Sequence, residues 1–183
     1  MKVDNIFSDI LLIKENIYED SRGYFSEAYN KNEFKKIGIE EDFIQDNFSF
    51  SMNAFTIRGM HFQNKPNAQS KLLRVINGSI MDIFIDLRKK SSTYMMHHKV
   101  NMKSTDGWLY IPKGFAHGFC TLEDNTLVVY KVDSFYSKES ELGILWNDPF
   151  FNLDWPTKLE EPIISDKDSS LPIWKDIEMD INF

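Results

Sequence analysis

Residues 70–87 read SKLLRVINGSIMDIFIDL, and this stretch decides how the rest of the chain is interpreted. Apolar residues dominate residues 70–76, while residues 79–87 alternate two sets of side chains, as the two faces of a β-strand do. Asn77-Gly78 lies between the two runs and is the strongest short-range signal for a tight two-residue turn. The stretch therefore predicts two strands joined in a hairpin.

Short alternating runs bounded by turn residues recur along most of the chain. They lie at residues 9–17, 24–29, 43–51, 54–63, 94–102 and 126–132. Residues 30–37 carry a helical signal, with Asn30 or Asn32 as the N-cap and Gly38 as the stop. Many short strands and little helix predict one all-β domain over residues 1–183, a sandwich or small barrel with short flanking helices. We expect a core of about residues 9–135 and an irregular C-terminal tail that packs back on it.

The composition limits the possible ligands and locations. The 183 residues include 42% hydrophobic residues, as in globular domains, and carry a formal net charge of −7. An acidic chain offers no broad basic face for a nucleic-acid backbone, so an anionic ligand must be held by a few placed cations. Cys120 is the only cysteine, residues 1–9 do not resemble a signal peptide, and the apolar runs are too short to cross a bilayer. We therefore expect a cytoplasmic protein that binds neither membranes nor nucleic acid.

The stretch RGMHFQ, residues 58–63, places two ionisable side chains inside a strand-like run. Strict alternation would put His61 on one face of the strand and Arg58 on the other. Gly59 lies between them and weakens a strand interior, so it is the expected position of a bulge that turns both side chains toward one cavity. Without a bulge, the ordinary interpretation is a core histidine bonded to backbone beside a surface arginine.

Three further features combine polar groups with apolar strand faces. Lys71 lies on the same strand face as apolar residues. Its amine therefore either extends to solvent at the strand end or has a functional role inside a cavity. Tyr130 is in phase with two valines, where its hydroxyl needs a hydrogen-bond partner. Residues 43–51 alternate an apolar face with a face of amides and hydroxyls. Such amides can read a sugar or a base, although a polar outer face is the commoner reason for this pattern.

Seven short motifs follow one another between about residues 9 and 168. In chain order they are DSRGYFSE (20–27), QDN (45–47), RGMHFQ (58–63), AQSKL (68–72), PKGFAHGF (112–119), YK (130–131) and GILWNDP (143–149). In this order and spacing they resemble the dTDP-4-dehydrorhamnose 3,5-epimerase family. The resemblance implies a cupin-type jelly roll that acts as a homodimer and needs neither a metal nor an organic cofactor.

The resemblance also implies a role for each matching residue. His61 resembles the base, Tyr130 the acid, and Asp168 the carboxylate that pairs with the histidine. Lys71 resembles the group that faces the developing enolate. The residues that match positions binding the nucleotide diphosphate and sugar are Arg22, Phe25, Glu27, Gln45, Asp46, Asn47, Arg58, His117, Tyr136, Glu141 and Lys167. Because the N-terminal hairpin reaches across the dimer in this family, Phe25 and Glu27 serve either their own site or the partner's.

The residue types suit this chemistry. Hydrogens on the carbons beside the carbonyl of a 4-keto sugar are acidic, so inversion needs a base on one face, an acid on the other and a donor at the enolate oxygen. The resemblance therefore implies inversion of C3 and C5 of a dTDP-4-dehydro-6-deoxyhexose, giving dTDP-4-dehydro-L-rhamnose. The alternatives are inversion of one carbon of a related nucleotide 4-keto sugar, and a cupin that binds a nucleotide sugar without catalysis.

Three positions depart from related patterns. Ser26 stands where an aromatic residue is frequent in the family, and Phe48 where a histidine is frequent. Both lie near base recognition, so they bear on which nucleotide is bound rather than on the epimerisation. Metal-binding cupins present His-x-His, whereas this chain has His61-x-Gln63 and is one ligand short, so we expect no metal.

Overall fold

The structure, a computed structural model, describes residues 1–157 and 161–183. Its elements in chain order are β1 (Lys2–Phe7), β2 (Ile10–Lys14), β3 (Ile17–Asp20), β4 (Gly23–Ser26), α1 (Lys31–Lys36), β5 (Gln45–Ser51), β6 (Ile57–Gln63), β7 (Lys71–Asn77), β8 (Ser79–Asp86), β9 (His97–Lys103), β10 (Trp108–Ile111), β11 (Phe115–Thr121), β12 (Thr126–Val132), β13 (Glu141–Gly143), α2 (Asp166–Ser169) and α3 (Trp174–Ile177). No helix in these two ranges is long and apolar enough to cross a membrane.

Two antiparallel sheets pack face to face as a jelly-roll sandwich. The first has the strand order β1-β2-β10-β7-β12-β5, and the second has the order β13-β6-β11-β8-β9. Strands β3 and β4 form a separate hairpin. The predicted all-β sandwich with short helices is confirmed. The sheets extend beyond the expected core, because β1 begins at Lys2 and β13 comes from the segment expected to be irregular.

Residues 70–87 form two strands, as predicted, but the predicted hairpin between them is wrong. Strand β7 pairs with β10 and β12, whereas β8 pairs with β9 and β11 in the other sheet. The turn at Gly78 therefore carries the chain across the sandwich. Gly78 has φ +79°, and a Cβ at this position would lie 2.3 Å from Thr126 Oγ1. The close approach of β12 explains the glycine without a hairpin.

Apolar side chains fill three layers around the two sheets. Leu73, Phe84 and Val128 belong to the layer between the sheets. The outer face of the first sheet is covered through Phe34 of α1, and the C-terminal segment covers the outer face of the second through Trp174. Burying one large apolar side chain contributes about 1.5–3 kcal/mol, so the covering segments hold both sheets in place.

Helix α1 forms as predicted. The Asn30 side chain accepts a hydrogen bond of 3.0 Å from the backbone N–H of Asn32, so Asn30 is the N-cap. Gly38 follows the helix with φ +90° and ends it.

Strand β5 has the predicted alternation. Its polar face points inward, whereas the commoner interpretation of the pattern placed the polar face outside. Gln45, Asn47 and Ser49 lie opposite Val132, Tyr130 and Val128 of β12, on the inner face of the first sheet. The apolar residues point outward instead, and Phe48 is 73% exposed. Strand β5 lies at the edge of its sheet, so an apolar strip and an unpaired strand edge occur together on the surface.

Candidate active site

A bulge at Gly59 brings Arg58 and His61 to the same cavity, as predicted. Along β11, His117 pairs with His61 and Phe119 pairs with Arg58, so three steps on β6 match two steps on β11. Gly59 has φ +127°, and a Cβ there would lie 2.5 Å from the Cα of Gly118. Only glycine fits this position, and it shifts the alternation so that both functional side chains point inward.

The cavity lies between the two sheets and has a volume of about 520 Å³. Its walls come from β5, β6, β7, β11, β12 and the segment around α2. The residues that line it are Phe48, Ser49, Phe50, Arg58, His61, Lys71, His117, Phe119, Tyr130, Ser165, Lys167 and Asp168. All four residues expected to be catalytic therefore meet in one cavity.

His61 and Asp168 form a close pair. The Nε2 atom of His61 lies 2.7 Å from Oδ1 of Asp168, and Oδ2 accepts a hydrogen bond of 3.1 Å from the Gly59 N–H. Ser165 caps α2 by accepting from the backbone N–H of Asp168. Burial alone would raise the pKa of Asp168, but the hydrogen bonds from His61 and Gly59 lower it overall. The carboxylate thus stays charged and orients the imidazole ring.

Lys71 and Tyr130 enter the cavity from the other sheet. Lys71 Nζ donates to the His61 carbonyl at 3.3 Å and lies 3.4 Å from Nδ1 of His117. Burial lowers the pKa of Lys71 to about 8, close to the physiological range. Burial also raises the pKa of the Tyr130 hydroxyl, so it keeps its proton at neutral pH. The cavity therefore holds the imidazole of His61, a protonated phenol and the amine of Lys71.

A charged rim surrounds the opening. Glu141 accepts hydrogen bonds from Lys167 at 2.6 Å and from the Tyr136 hydroxyl at 2.9 Å. On the other side, Arg58 donates to the Ser51 hydroxyl at 3.1 Å and to the Phe50 carbonyl at 2.9 Å. Arg58 and Lys167 give the rim two cations suited to a phosphate group.

The chain also matches known proteins over most of its length. Residues 5–176 match the sequence model of the dTDP-4-dehydrorhamnose 3,5-epimerase family. The chain belongs to this family. A dTDP-4-dehydrorhamnose 3,5-epimerase from Shigella flexneri is 42% identical over 162 residues, which cover 87% of this chain and 88% of the relative.

Solved structures place this epimerase-family chain among cupin-type enzymes. The dTDP-4-dehydrorhamnose 3,5-epimerase of Bacillus anthracis, crystallised with TDP and PPi, is 45% identical and superposes with a TM-score of 0.90, covering 94% of this chain and 98% of its own. A Legionella pneumophila epimerase in complex with dTDP-4-keto-L-rhamnose is 32% identical with a TM-score of 0.90, covering 98% and 95%. The chain is accordingly an isomerase of the epimerase type with a cupin-type fold.

Four residues expected to bind substrate lie away from the cavity in this single epimerase chain, and Gln45 and Asn47 lie on the inner face of β5 but are not among the residues that line it. Arg22 is exposed on the β3–β4 hairpin and pairs with Asp20 at 2.6 Å, while Phe25 is 68% exposed. Glu27 lines a separate small cavity near the N-terminus. Asp46 lies on the outer face of β5 and pairs with Lys131 at 2.8 Å. Alternation along β5 puts Asp46 on the face opposite to Gln45 and Asn47, so its side chain points away from the inner face of the sheet.

Two polar groups outside the expected set have clear positions. Gln63 is 5% exposed, and its amide bonds to the Asn67 and Phe135 carbonyls and to the Ser137 N–H. Asp82 is fully buried and lies 2.9 Å from Nε2 of His117. Sequence analysis did not select Asp82, although a carboxylate alternating with apolar residues in residues 79–87 was a visible signal.

Proposed function

We propose that the cavity inverts C3 and C5 of a dTDP-4-dehydro-6-deoxyhexose by removing protons beside its 4-keto group, giving dTDP-4-dehydro-L-rhamnose. The observation that carries the proposal is the placement of the groups. The His61–Asp168 pair belongs to one sheet and its covering segment, while Tyr130 belongs to the opposite sheet. A sugar ring between the sheets would meet a base on one face and an acid on the other.

His61 is the base in this proposal. Its Nε2–H donates to Asp168, so Nδ1 is the nitrogen that accepts the proton from carbon. The carboxylate then stabilises the imidazolium that forms. Tyr130 returns a proton on the far face, and the Lys71 ammonium donates to the oxygen that becomes negative in the enolate.

The rim binds the nucleotide diphosphate in this proposal. Arg58 and Lys167 hold the phosphates, and Glu141 and Tyr136 position Lys167. His117 and the inward amides of Gln45 and Asn47 contact the sugar and base. Gln45 already donates to Asn47 at 2.8 Å, which orders the two amides.

We propose further that the active form is a homodimer in which Arg22, Phe25 and Glu27 act at the partner's site. Two exposed apolar surfaces support this arrangement. The hairpin exposes Tyr24 and Phe25, each 68% exposed, and the β5 edge exposes Phe48. Apolar patches of this kind mark surfaces that a partner covers. The same proposal includes a cytoplasmic location, in keeping with the buried free thiol of Cys120.

Incubation with the dTDP-4-keto sugar in deuterated water tests the reaction. Proton NMR should show deuterium at both C3 and C5 together with the inverted product. Label at one carbon only would indicate a single-carbon epimerase. Tight binding without any exchange would contradict catalysis and indicate a nucleotide-sugar-binding protein.

A further inference from the structure

Asp82 is a buried carboxylate to which the proposed reaction assigns no role. It lies on the inner face of β8 with no exposed surface, and its Oδ2 atom is 2.9 Å from Nε2 of His117. Its Oδ1 atom has no hydrogen-bond partner within the described ranges. Burying a carboxylate without full hydrogen bonding is costly, so its presence calls for a compensating charge or function.

The donor and the acceptor of each hydrogen bond around His117 can be assigned. An ammonium group carries only donors, so the 3.4 Å contact requires Nδ1 of His117 to accept from Lys71. Nε2 then carries the ring proton and donates it to Asp82. Burial lowers the pKa of His117, which favours the neutral ring over the imidazolium. One imidazole thus connects a buried carboxylate to the amine beside the sugar.

We propose that Asp82 is a positioning residue of the epimerase site, whose carboxylate acts through His117 to keep the Lys71 ammonium charged and directed into the cavity. The inference rests on the proposed function, because it concerns how the group facing the enolate keeps its charge. It adds a second carboxylate–histidine pair to the site, distinct from His61–Asp168.

The charges around Lys71 support this assignment. The titratable and charged groups that line the cavity with it are Arg58 and His61 on β6, His117 on β11, Tyr130 on β12, and Lys167 and Asp168 on α2. The anions that act on its charge are Asp82 on β8 and Glu141 on β13. Burial opposes the ammonium form, and Asp82 is the stronger of the two anions that favour it, ahead of Glu141. Burial raises the pKa of Asp82 overall, and His117 and Lys71 offset part of that rise. The carboxylate and the ammonium therefore support each other's charge, and removing one should discharge the other.

Asp82→Asn is the central variant because it keeps the size and one acceptor oxygen but removes the charge. Lys71 must be protonated to stabilise the enolate, so turnover falls as the pH rises through its pKa. This fall is the high-pH limb of the plot of turnover against pH. In the wild type its midpoint should lie near the pKa of Lys71, about 8. In Asp82→Asn it should move to lower pH by about one unit, as expected for loss of one nearby charge. Turnover should recover when the pH is lowered.

Two control variants separate charge from packing. Asp86→Asn removes another fully buried carboxylate from the same face of β8, where its partner is Arg88 rather than the cavity. This change should leave the high-pH limb of turnover in place. Asp82→Glu restores the charge and should return the limb toward its wild-type position. A uniform loss of turnover at every pH in Asp82→Asn would instead indicate a structural role and overturn the proposal.

Nuclear magnetic resonance of the wild-type protein tests the charge states without turnover. Asp82 should show the carboxylate carbon shift of an ionised group at pH 7, and His117 should remain the neutral Nε2–H tautomer. A protonated Asp82 or the opposite tautomer would refute the proposal even if Asp82→Asn did not fold. Because these signals do not depend on the reaction, they also separate failure of this inference from failure of the proposed function.

Discussion

Replacing Tyr130 with phenylalanine should stop inversion without stopping proton exchange. The change keeps the aromatic ring on β12 and removes only the hydroxyl. Burial raises the pKa of this phenol, so at neutral pH the wild-type group holds the proton that it is proposed to deliver. Removing a positioned acid costs about 10²- to 10⁴-fold in rate, and we expect inverted product to fall within that range. The diphosphate contacts of the rim are unchanged, so KM should change little.

The assay is NMR of the dTDP-4-keto sugar in deuterated water. In Tyr130→Phe, His61 still removes and returns a proton on its own face, so deuterium should enter the substrate while inverted product accumulates slowly. His61→Ala should lose exchange and turnover together. The two variants thus fail in different ways, which a general disturbance of the cavity would not produce.

Tyr110→Phe is a matched control for the same chemical change. Tyr110 lies on β10 and points to the outer layer, where its hydroxyl donates to Glu41 at 2.5 Å. It should leave exchange and inversion at wild-type rates. If Tyr130→Phe inverted both carbons normally, or if exchange disappeared with inversion, the assignment of Tyr130 as the acid would be incorrect.

Five other outcomes are expected. Asp168→Asn should lower turnover by about 10²-fold or more, because the His61 ring loses its carboxylate. The lowered pKa of Asp168 also means that its hydrogen bonds with His61 and the Gly59 N–H stabilise the fold above the ordinary carboxyl range and that this stabilisation is lost as the pH falls, so the variant's thermal midpoint should depend less on pH from about pH 5 downward. Gly59→Ala should destabilise the fold by at least about 2 kcal/mol in denaturant titrations, because its backbone conformation and the nearby Gly118 exclude a Cβ. Light scattering should show a dimer that Phe48→Asp weakens, and a fully active monomer would argue against the shared site. Chelators should leave turnover unchanged, whereas loss of activity with a stoichiometric metal would contradict the expected metal-free reaction.

Local alternation and glycine chemistry predicted the parts of the site that depend on one strand. The bulge at Gly59 followed from the conflict between Arg58 and His61 along β6. The inward direction of Lys71 and Tyr130 followed from their phase with apolar neighbours. These inferences held because the side-chain direction of a strand is set within the strand itself.

Features that depend on the pairing of distant segments could not be predicted in this way. Asn77-Gly78 matched a hairpin turn, but the local signal is the same when a glycine is needed for close packing against Thr126. The polar face of β5 points inward because a cavity lies beneath it, and alternation alone does not show which face is covered. Asp82 gained its partners only when β8 and β11 came together.

The crossing at Gly78 also affects how the chain reaches this fold. Strand β7 obtains its sheet neighbours from β10 and β12, so Lys71 meets Ile111 and Val132 rather than the residues that follow it. Sandwiches built from such distant pairings fold in milliseconds to seconds. During synthesis at about 5–20 residues per second, β12, which starts at Thr126, follows β7, which starts at Lys71, by several seconds. For that interval the nascent chain carries an apolar strand that lacks at least one of its two permanent neighbours, which leaves its apolar side chains open to association with other chains.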